Sequence, residues 1–248
     1  MTFEGDNTVM AQQTAKDLIK NLTRAMKGKP TSPYTWYLQQ MKTLLAKKAR
    51  LADQQDLTVD KIQEVLAVRA CSAVSRVGKA MFKLGKSGVK QLSILNEHLQ
   101  TDLIQASKYH SELFVFQSFA TELGRALAQG DIEPAVGKHM RRLLRLAGLK
   151  MILGDGAKEL YICGYFSGKE GPIVERALKT EIATVRPVAL CLLQGLGHRD
   201  YFLNSAIGQK NADPYEELLR QARELNPMNK VDVLPGITEI MKPIMGKL

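Results

Sequence analysis

The sequence contains few prolines, few aromatic residues, few cysteines and no long apolar run. Its 248 residues include 9 prolines, a single tryptophan and only 6% aromatic residues. No uninterrupted apolar run reaches the roughly 18 to 20 residues that a membrane-spanning helix needs, and the first residues do not resemble a secretory signal. We therefore expect no transmembrane segment.

The cysteines are too few and too scattered to form a disulfide or zinc-binding framework. They are odd in number and lack the CxxC spacing, which favours a reducing compartment and three small buried side chains. Their positions are Cys71, Cys163 and Cys191. His98, His139 and His198 have no carboxylate or cysteine partner at ligand spacing, so we expect no metal site.

Acidic residues are outnumbered, with 25 Asp and Glu against 35 Lys and Arg, a net charge of +10. Such a charge is compatible with a nucleic-acid, membrane or phosphate-bearing partner. The basic residues are, however, spread along the chain and aromatic residues rarely lie between them, which favours a solvated basic surface. We expect no nucleic-acid partner.

Apolar residues recur at helical spacing through most of the chain. A first helix capped by Asn7 or Thr8 has its apolar positions three and four residues apart up to Met26. Later helices are predicted over residues 36–51, 59–84, 89–128, 149–166, 173–196, 213–225 and 232–245, with Thr58 as a cap, Gly130 as a stop and Pro134 in a first turn. No useful strand alternation appears, so the predicted fold is all-α, an antiparallel helical bundle with short loops.

Two features within these helices have simple explanations. His110 lies on the apolar stripe of the long helix over 89–128, where a lone histidine is more often a core residue than a ligand or an acid. At the start of the chain, Glu4 stands directly before Gly5 and the helix-capping run of Asp6, Asn7 and Thr8. Taken alone, that segment is explained by capping and an exposed terminal acid.

Longer blocks of sequence change the interpretation of the first residues. These blocks are Thr2–Val9, Val185–Leu190, Asp200, Ser205–Gly208, Asp213–Leu218 and Asn226–Asn229. In this order they resemble the acyl-CoA oxidase family, a branch of the acyl-CoA dehydrogenase-like superfamily. The distal blocks favour an oxidase, because the shorter dehydrogenases lack the distal helical domain.

The resemblance implies a reaction and a set of site residues. Glu4 would remove the α-proton of a fatty acyl-CoA, the β-hydrogen would leave as hydride to FAD, and O₂ would be reduced to H₂O₂. The product would be a trans-2-enoyl-CoA, a step of fatty acid β-oxidation. Gly5 would lie against the substrate, and Asp6, Asn7 and Thr8 would lie near the flavin.

The resemblance also implies a domain organisation. Residues 1–28 would be the last helix of the first helical domain with the catalytic Glu4, residues 29–57 a linker and connecting helix, and residues 58–248 the C-terminal helical domain. The flavin-binding half is expected upstream of Met1. The alternative is a truncated, non-catalytic helical module for interaction or dimerisation.

The final three residues, Gly246-Lys247-Leu248, are similar to the peroxisomal signal Ser-Lys-Leu, with glycine in place of serine. Combined with the family resemblance, they predict a peroxisomal protein that is recognised by the import receptor. The family further implies a homodimer whose flavin sites lie near the subunit interface.

Overall fold

The computed structural model describes residues 7–210, 213–230, 233 and 236–245. Every regular element in this part of the chain is helical and none is a strand, which confirms the all-α prediction. The chain divides into two compact units, the first ending at Pro187 and the second beginning at Val188.

The described residues of the first unit form nine α-helices. They are α1 (Asn7–Met26), α2 (Trp36–Gln39), α3 (Met41–Ala46), α4 (Val59–Lys86), α5 (Gln91–Ser93), α6 (Gln100–Gln129), α7 (Pro134–Leu153), α8 (Ala157–Ile162) and α9 (Glu170–Val185). Short 3-10 turns cover Pro33–Thr35 and Gln54–Asp56, and a π-helical turn covers Ile94–His98. A further 3-10 turn, Arg186–Val188, leads into the second unit.

Several helix ends lie where the sequence predicts them. The Thr58 hydroxyl accepts a hydrogen bond from the Lys61 backbone N–H at 3.2 Å, so it caps α4 as expected. Gly130 ends α6 with a φ of +74°, a left-handed conformation that glycine adopts without steric cost. Pro134 occupies the first turn of α7, where its missing N–H needs no partner.

Helix α4 forms the centre of the hydrophobic core and packs against α1, α6, α7 and α8. Two ion pairs show that α4 and α6 are antiparallel, because Arg69 meets Glu112 and Arg76 meets Asp102. The close approach of α7 depends on Gly148. A Cβ atom at that position would lie 2.5 Å from Cε2 of Phe116 and would also overlap Ile62.

The prediction of a helix over 36–51 was wrong at its end. Helix α3 stops at Ala46, and the Ala49 backbone N–H instead donates to the Tyr165 carbonyl at 3.0 Å. The continuous helix predicted over 89–128 is also interrupted. A π-helical turn ends at His98, where the Leu99 N–H donates to the Ile94 carbonyl, and the regular helix begins at Gln100.

Two later predictions misplaced the helix boundaries. In place of a helix over 149–166, α7 continues to Leu153 and α8 begins at Ala157. The intervening Gly156 packs against the Arg69 side chain, and a Cβ atom there would overlap the guanidinium. The helix predicted over 173–196 instead starts at Glu170 and ends before Pro187, which lacks a backbone N–H to continue the ladder.

The second unit consists of short elements with little buried surface. They are α10 (Ala189–Gly195), α11 (Asp200–Leu203), α12 (Pro214–Arg220), α13 (Lys242–Met245), π-helical turns at Gln221–Leu225 and Ile237–Met241, and a 3-10 turn at Pro227–Lys230. The prediction over 213–225 is confirmed, whereas part of the one over 232–245 lies outside the described residues. From residue 188 onward, Ala206 is the single described residue that is buried.

Large apolar side chains are instead exposed throughout this unit. Those that are more than 60% exposed are Leu190, Leu193, Leu196, Tyr201, Phe202, Ile207, Tyr215, Leu225, Ile240 and Ile244. Exposed apolar surface on this scale is uncommon on monomeric soluble proteins and marks a region that packs against something else.

Candidate functional site

The first turns of α1 lie beside the first half of α6 and enclose an open groove of about 700 Å³. Its α1 wall consists of Asn7, Thr8, Met10, Ala11 and Thr14, and its α6 wall of Ile104, Ser107, Lys108 and Ser111. Of the five predicted site residues, the structure therefore brings Asn7 and Thr8 to this groove. Glu4, Gly5 and Asp6 lie outside the described residues.

The groove combines small polar groups with an apolar floor. The Thr14 hydroxyl donates to the Met10 carbonyl at 3.1 Å, so its hydroxyl hydrogen is already used within α1. The Asn7 amide and the Lys108 ammonium lie beside the apolar side chains of Met10, Ala11 and Ile104. This mixture suits a ligand that has both apolar parts and anionic or hydrogen-bond-accepting parts.

The α6 wall was not predicted from the sequence. Ser107 is buried, and it follows Leu103 by four residues on the inward stripe of α6. Sequence reasoning treated that stripe as purely apolar core. Nothing in the sequence around Ser107 and Lys108 distinguishes them from ordinary helix positions.

Lys108 supplies the positive charge of the groove. Its Nζ lies 2.7 Å from Oδ2 of Asp155, and this hydrogen bond raises the pKa of Lys108, which is about half exposed. The adjacent Tyr109 hydroxyl donates to the Asp155 carbonyl at 2.8 Å. These two bonds fix the α7–α8 loop against α6 beside the groove.

Behind this wall, a buried arginine stabilises the same region. Arg69 has no solvent exposure, its Nη2 lies 2.5 Å from Oε2 of Glu112, and its guanidinium lies 4.4 Å from the centre of the Tyr109 ring. Its Nη1 also donates to the Met151 carbonyl. Burial lowers the pKa of Arg69 while Glu112 opposes that effect, so the guanidinium remains a charged anchor between α4, α6 and α7.

A second arginine bridges two carboxylates at the far end of the α4–α6 interface. Arg76 donates to Asp102 at 2.8 Å and to the buried Glu159 at 3.0 Å, and Glu159 also accepts from the Ser72 hydroxyl at 2.7 Å. Every carboxylate in this cluster has a cationic or hydroxyl partner. We assign the cluster a structural role, since it leaves no carboxylate free to act as a base.

His110 forms its hydrogen bond within the protein core. Its Nδ1 lies 3.1 Å from the Tyr37 hydroxyl, and burial lowers the pKa of His110, which favours the neutral ring. This agrees with its interpretation as a core residue. Among the described residues, no group of three or more His, Cys, Asp or Glu side chains is arranged to hold a metal ion.

The cysteines match the prediction only in part. Cys71 is buried, and burial raises the pKa of its thiol to about 12. Cys163 is half-buried and Cys191 is exposed, so the prediction of three buried side chains was wrong for these two. Within the described residues, no helix is both long enough and apolar enough to span a bilayer.

Comparison with known proteins identifies the family of this chain. The family model of acyl-CoA oxidase matches residues 58–246. The chain belongs to the acyl-CoA oxidase family. It is 28% identical to acyl-coenzyme A oxidase acox-1.1 of Caenorhabditis elegans over 99% of this chain. It is also 28% identical to peroxisomal acyl-coenzyme A oxidase 1 of Mus musculus over 100% of this chain.

A solved oxidase structure shares the helical arrangement. The crystal structure of acyl-CoA oxidase-1 from Caenorhabditis elegans, complexed with FAD and ATP, matches all of the chain with a TM-score of 0.77 and 26% identity. The matched region is 36% of that structure, and 35% and 37% of the two curated relatives. The chain thus spans about a third of the length of the oxidases that it matches.

The distal blocks of this acyl-CoA oxidase chain form turns and helix caps. The Gly208 N–H donates to the Ser205 hydroxyl at 3.2 Å, and the Asp213 carboxylate caps α12 by accepting from the Tyr215 N–H at 2.9 Å. Asn226 accepts from the Met228 N–H at 3.0 Å. These blocks therefore specify local backbone geometry in the second unit.

Proposed function

We propose that this chain is the C-terminal part of an FAD-dependent acyl-CoA oxidase. The activity is the conversion of a fatty acyl-CoA to a trans-2-enoyl-CoA, with reduction of O₂ to H₂O₂, in fatty acid β-oxidation. Support comes from the family match over residues 58–246 and from the relatives, which are named acyl-CoA oxidases. The mouse relative is named peroxisomal, which supports a peroxisomal location.

We assign to Glu4 the role of the general base that removes the α-proton of the substrate. The observation that supports this role is the position of α1, whose first described residue, Asn7, borders the groove between α1 and α6. Glu4 precedes Asn7 by three residues, a separation of at most about 11 Å along the chain. A residue within that distance along the chain can reach a partly apolar groove, and removal of an α-proton requires a carboxylate in such surroundings.

The remaining site residues are assigned to ligand binding. Gly5 allows close approach of the substrate, and Asp6, Asn7 and Thr8 contact the cofactor at the start of α1. Asn7 and Thr8 on the α1 wall and Lys108 on the α6 wall are polar side chains that suit the polar edge of a flavin or its phosphates. FAD, when bound, accepts the substrate's β-hydrogen as hydride and passes the electrons to O₂.

The base assignment is tested by Glu4→Gln in a polypeptide that joins this chain to the preceding two-thirds of a related oxidase. A positioned base contributes 10²- to 10⁴-fold, so we expect H₂O₂ formation to fall on that order while bound flavin absorbance is retained. Glu133→Gln, an exposed carboxyl on the turn before α7, is the control and leaves turnover unchanged. Loss of flavin with normal turnover per bound flavin would contradict the assignment.

The second candidate is a non-catalytic helical module that packs on another oxidase subunit. It is favoured by the exposed apolar surface of the second unit. The joined polypeptide used for the Glu4 test distinguishes the two candidates. Flavin absorbance and acyl-CoA-dependent H₂O₂ in that polypeptide support the enzyme, whereas a folded joined polypeptide that is colourless and inactive supports the module.

Two partners follow from the same proposal. We assign a homodimer, which sedimentation at several concentrations tests. We also assign recognition by the import receptor through Gly246-Lys247-Leu248, which lies outside the described residues. A fluorescent protein carrying this tail is expected in peroxisomes, and the same fusion without Leu248 is expected in the cytosol.

A further inference from the structure

The distal half of α4 and the turn after it carry positive charge without any acidic residue. From Val65 to Asn96 the sequence contains six basic residues and no Asp or Glu. Arg69 and Arg76 are paired inside the first unit. The other four are Lys79, Lys83, Lys86 and Lys90, which are exposed and form no ion pair within the described part of the chain.

These lysines are arranged on one side of the helix together with an exposed aromatic ring. Lys79, Lys83 and Lys86 follow the i, i+4, i+7 spacing that places side chains on one helix face. Phe82 is 66% exposed, and Nζ of Lys86 lies 4.6 Å from the centre of its ring. An apolar ring therefore projects into solvent among three ammonium groups.

The position of α1 adds further charge to this end of the molecule. Ile19 and Leu22 of α1 pack at Gly78, where an added Cβ atom would lie 2.5 Å from Cδ2 of Leu22. Arg24 and Lys27 follow within five residues of Leu22. Both are exposed, so the end of α1 that follows this contact carries two further basic residues.

Favourable interaction with the helix dipole explains only part of this pattern. Lysines in the last turn of a helix stabilise it, which accounts for Lys83 and Lys86. It does not account for Lys79, for Lys90 beyond the helix, or for a phenylalanine left in water. Basic side chains around an exposed aromatic ring are instead typical of protein surfaces that adsorb to anionic lipid headgroups.

We propose that Lys79, Phe82, Lys83, Lys86 and Lys90 form a docking face for the surface of an anionic lipid bilayer. The lysines contact lipid phosphates and carboxylates, and Phe82 enters the boundary between headgroups and acyl chains. All five side chains are exposed at the end of α4 and in the turn after it, where they can meet a planar partner together. Single-stranded nucleic acid is less well matched, because it requires successive aromatic platforms along a groove, whereas this face has one ring.

Co-sedimentation of the 248-residue chain with vesicles tests the proposal. We expect binding to phosphatidylcholine vesicles that contain 30% phosphatidylserine, weakening as salt rises, and little binding to pure phosphatidylcholine. Each lysine near an anionic surface contributes roughly a fivefold change in affinity. The triple variant Lys79→Glu, Lys83→Glu, Lys86→Glu is therefore expected to bind on the order of 100-fold more weakly.

A matched variant separates this face from the general attraction of a basic protein. Lys138→Glu, Arg141→Glu, Lys150→Glu changes three exposed residues of α7 and alters the net charge equally. We expect it to retain most of the binding, with helicity by circular dichroism confirming that both variants fold. Phe82→Ala, which leaves the charge unchanged, is expected to weaken binding roughly tenfold.

Three outcomes would overturn the proposal. Equal weakening by the two triple variants would mean that overall charge alone drives adsorption. Unchanged binding of Phe82→Ala would remove the ring from the contact. Binding to DNA that is lost in the α4 variant, with no binding to anionic vesicles, would assign the face to nucleic acid.

Discussion

Two glycines show how the same residue has opposite roles within one molecule. Gly148 of α7 lies where three helices converge, and Phe116 and Ile62 occupy the space that a Cβ atom would need. Gly124 lies on the exposed side of α6, and no other atom lies within 4 Å of an added Cβ. Both glycines lie within helices and have similar types of residue around them. The sequence alone therefore does not show which of the two is packed against neighbouring helices.

A matched pair of substitutions measures this difference. Gly148→Ala is expected to destabilise the chain by about 1 to 3 kcal/mol, because the core must be overpacked to admit the methyl group. Gly124→Ala is expected to stabilise it by about 0.5 to 1 kcal/mol, because alanine restricts the unfolded chain and favours helix. Urea unfolding followed by circular dichroism gives both values. Equal shifts in the two variants would contradict the packing account.

At the scale of elements, Glu64 of α4 links three segments that are distant in sequence. Its carboxylate lies 2.5 Å from Nζ of Lys47 and 2.8 Å from Nζ of Lys61, and it accepts from the Tyr165 hydroxyl at 2.7 Å. Although partial burial favours the neutral acid, these hydrogen bonds lower the pKa of Glu64 to about 2. The carboxylate thus connects the end of α3 and the turn after α8 to the core helix.

This contribution to stability depends on pH in a defined direction. Because the folded pKa of Glu64 lies below its unfolded value of about 4.5, its stabilisation is complete above pH 5 and is lost as the pH falls towards 2. With 22% of the side chain exposed, we expect Glu64→Gln to cost about 1 to 2 kcal/mol at pH 7, allowing for solvent screening.

The measurement is the difference in unfolding free energy between the parent chain and Glu64→Gln, from urea titrations at pH 7, 5 and 3. The difference is expected to shrink at the lowest pH. Glu133→Gln, which replaces a carboxyl whose side chain forms no cap hydrogen bond, is the control. A difference that stays constant from pH 7 to pH 3 would show that the Glu64 charge is not what stabilises the contacts.

The sequence correctly predicted the helix ends that are determined by a single residue at that end. Thr58, Gly130 and Pro134 act through their own side-chain or backbone chemistry, and each lies where it was expected. The π-helical turn before α6 and the break between α7 and α8 were missed. The apolar spacing continues through the first of these, and the second depends on Arg69, which is 87 residues away from Gly156.

The candidate site was less accessible to sequence reasoning than the fold was. Asn7 and Thr8 were identified from a motif, and they do line a groove. Its opposite wall comes from α6, about a hundred residues later, where Ser107 and Lys108 resemble ordinary helix positions. The assignment of Glu4 as the base and the domain limits at residues 28 and 57 stay predictions.

At the scale of the whole molecule, burial is distributed very unevenly. The continuous hydrophobic core runs from Ala15 to Ala177 in sequence, and it includes α1, α4, α6 and α7. None of the described residues from 188 onward belongs to that core. Since burial of apolar surface is the main driving force for folding, the first unit contains the interactions needed for its own stability.

Truncation after Pro187 tests this division. We expect the shortened chain to unfold cooperatively, with the same urea midpoint when followed by the fluorescence of Trp36, the sole tryptophan. Binding of the dye ANS should fall, because the exposed apolar side chains of the second unit are removed. A truncated chain that lacks a cooperative transition would show that the first unit depends on residues 188–248.

The exposed apolar surface of the second unit also has a consequence for colloidal behaviour. Residues 188–248 contain seven basic and seven acidic residues, so the whole excess of positive charge belongs to residues 1–187. A segment without net charge has no long-range repulsion to keep its copies apart at neutral pH. Electrostatic repulsion between copies of the chain therefore comes from the cationic first unit. That repulsion opposes association through the apolar surface of residues 188–248, a segment without net charge.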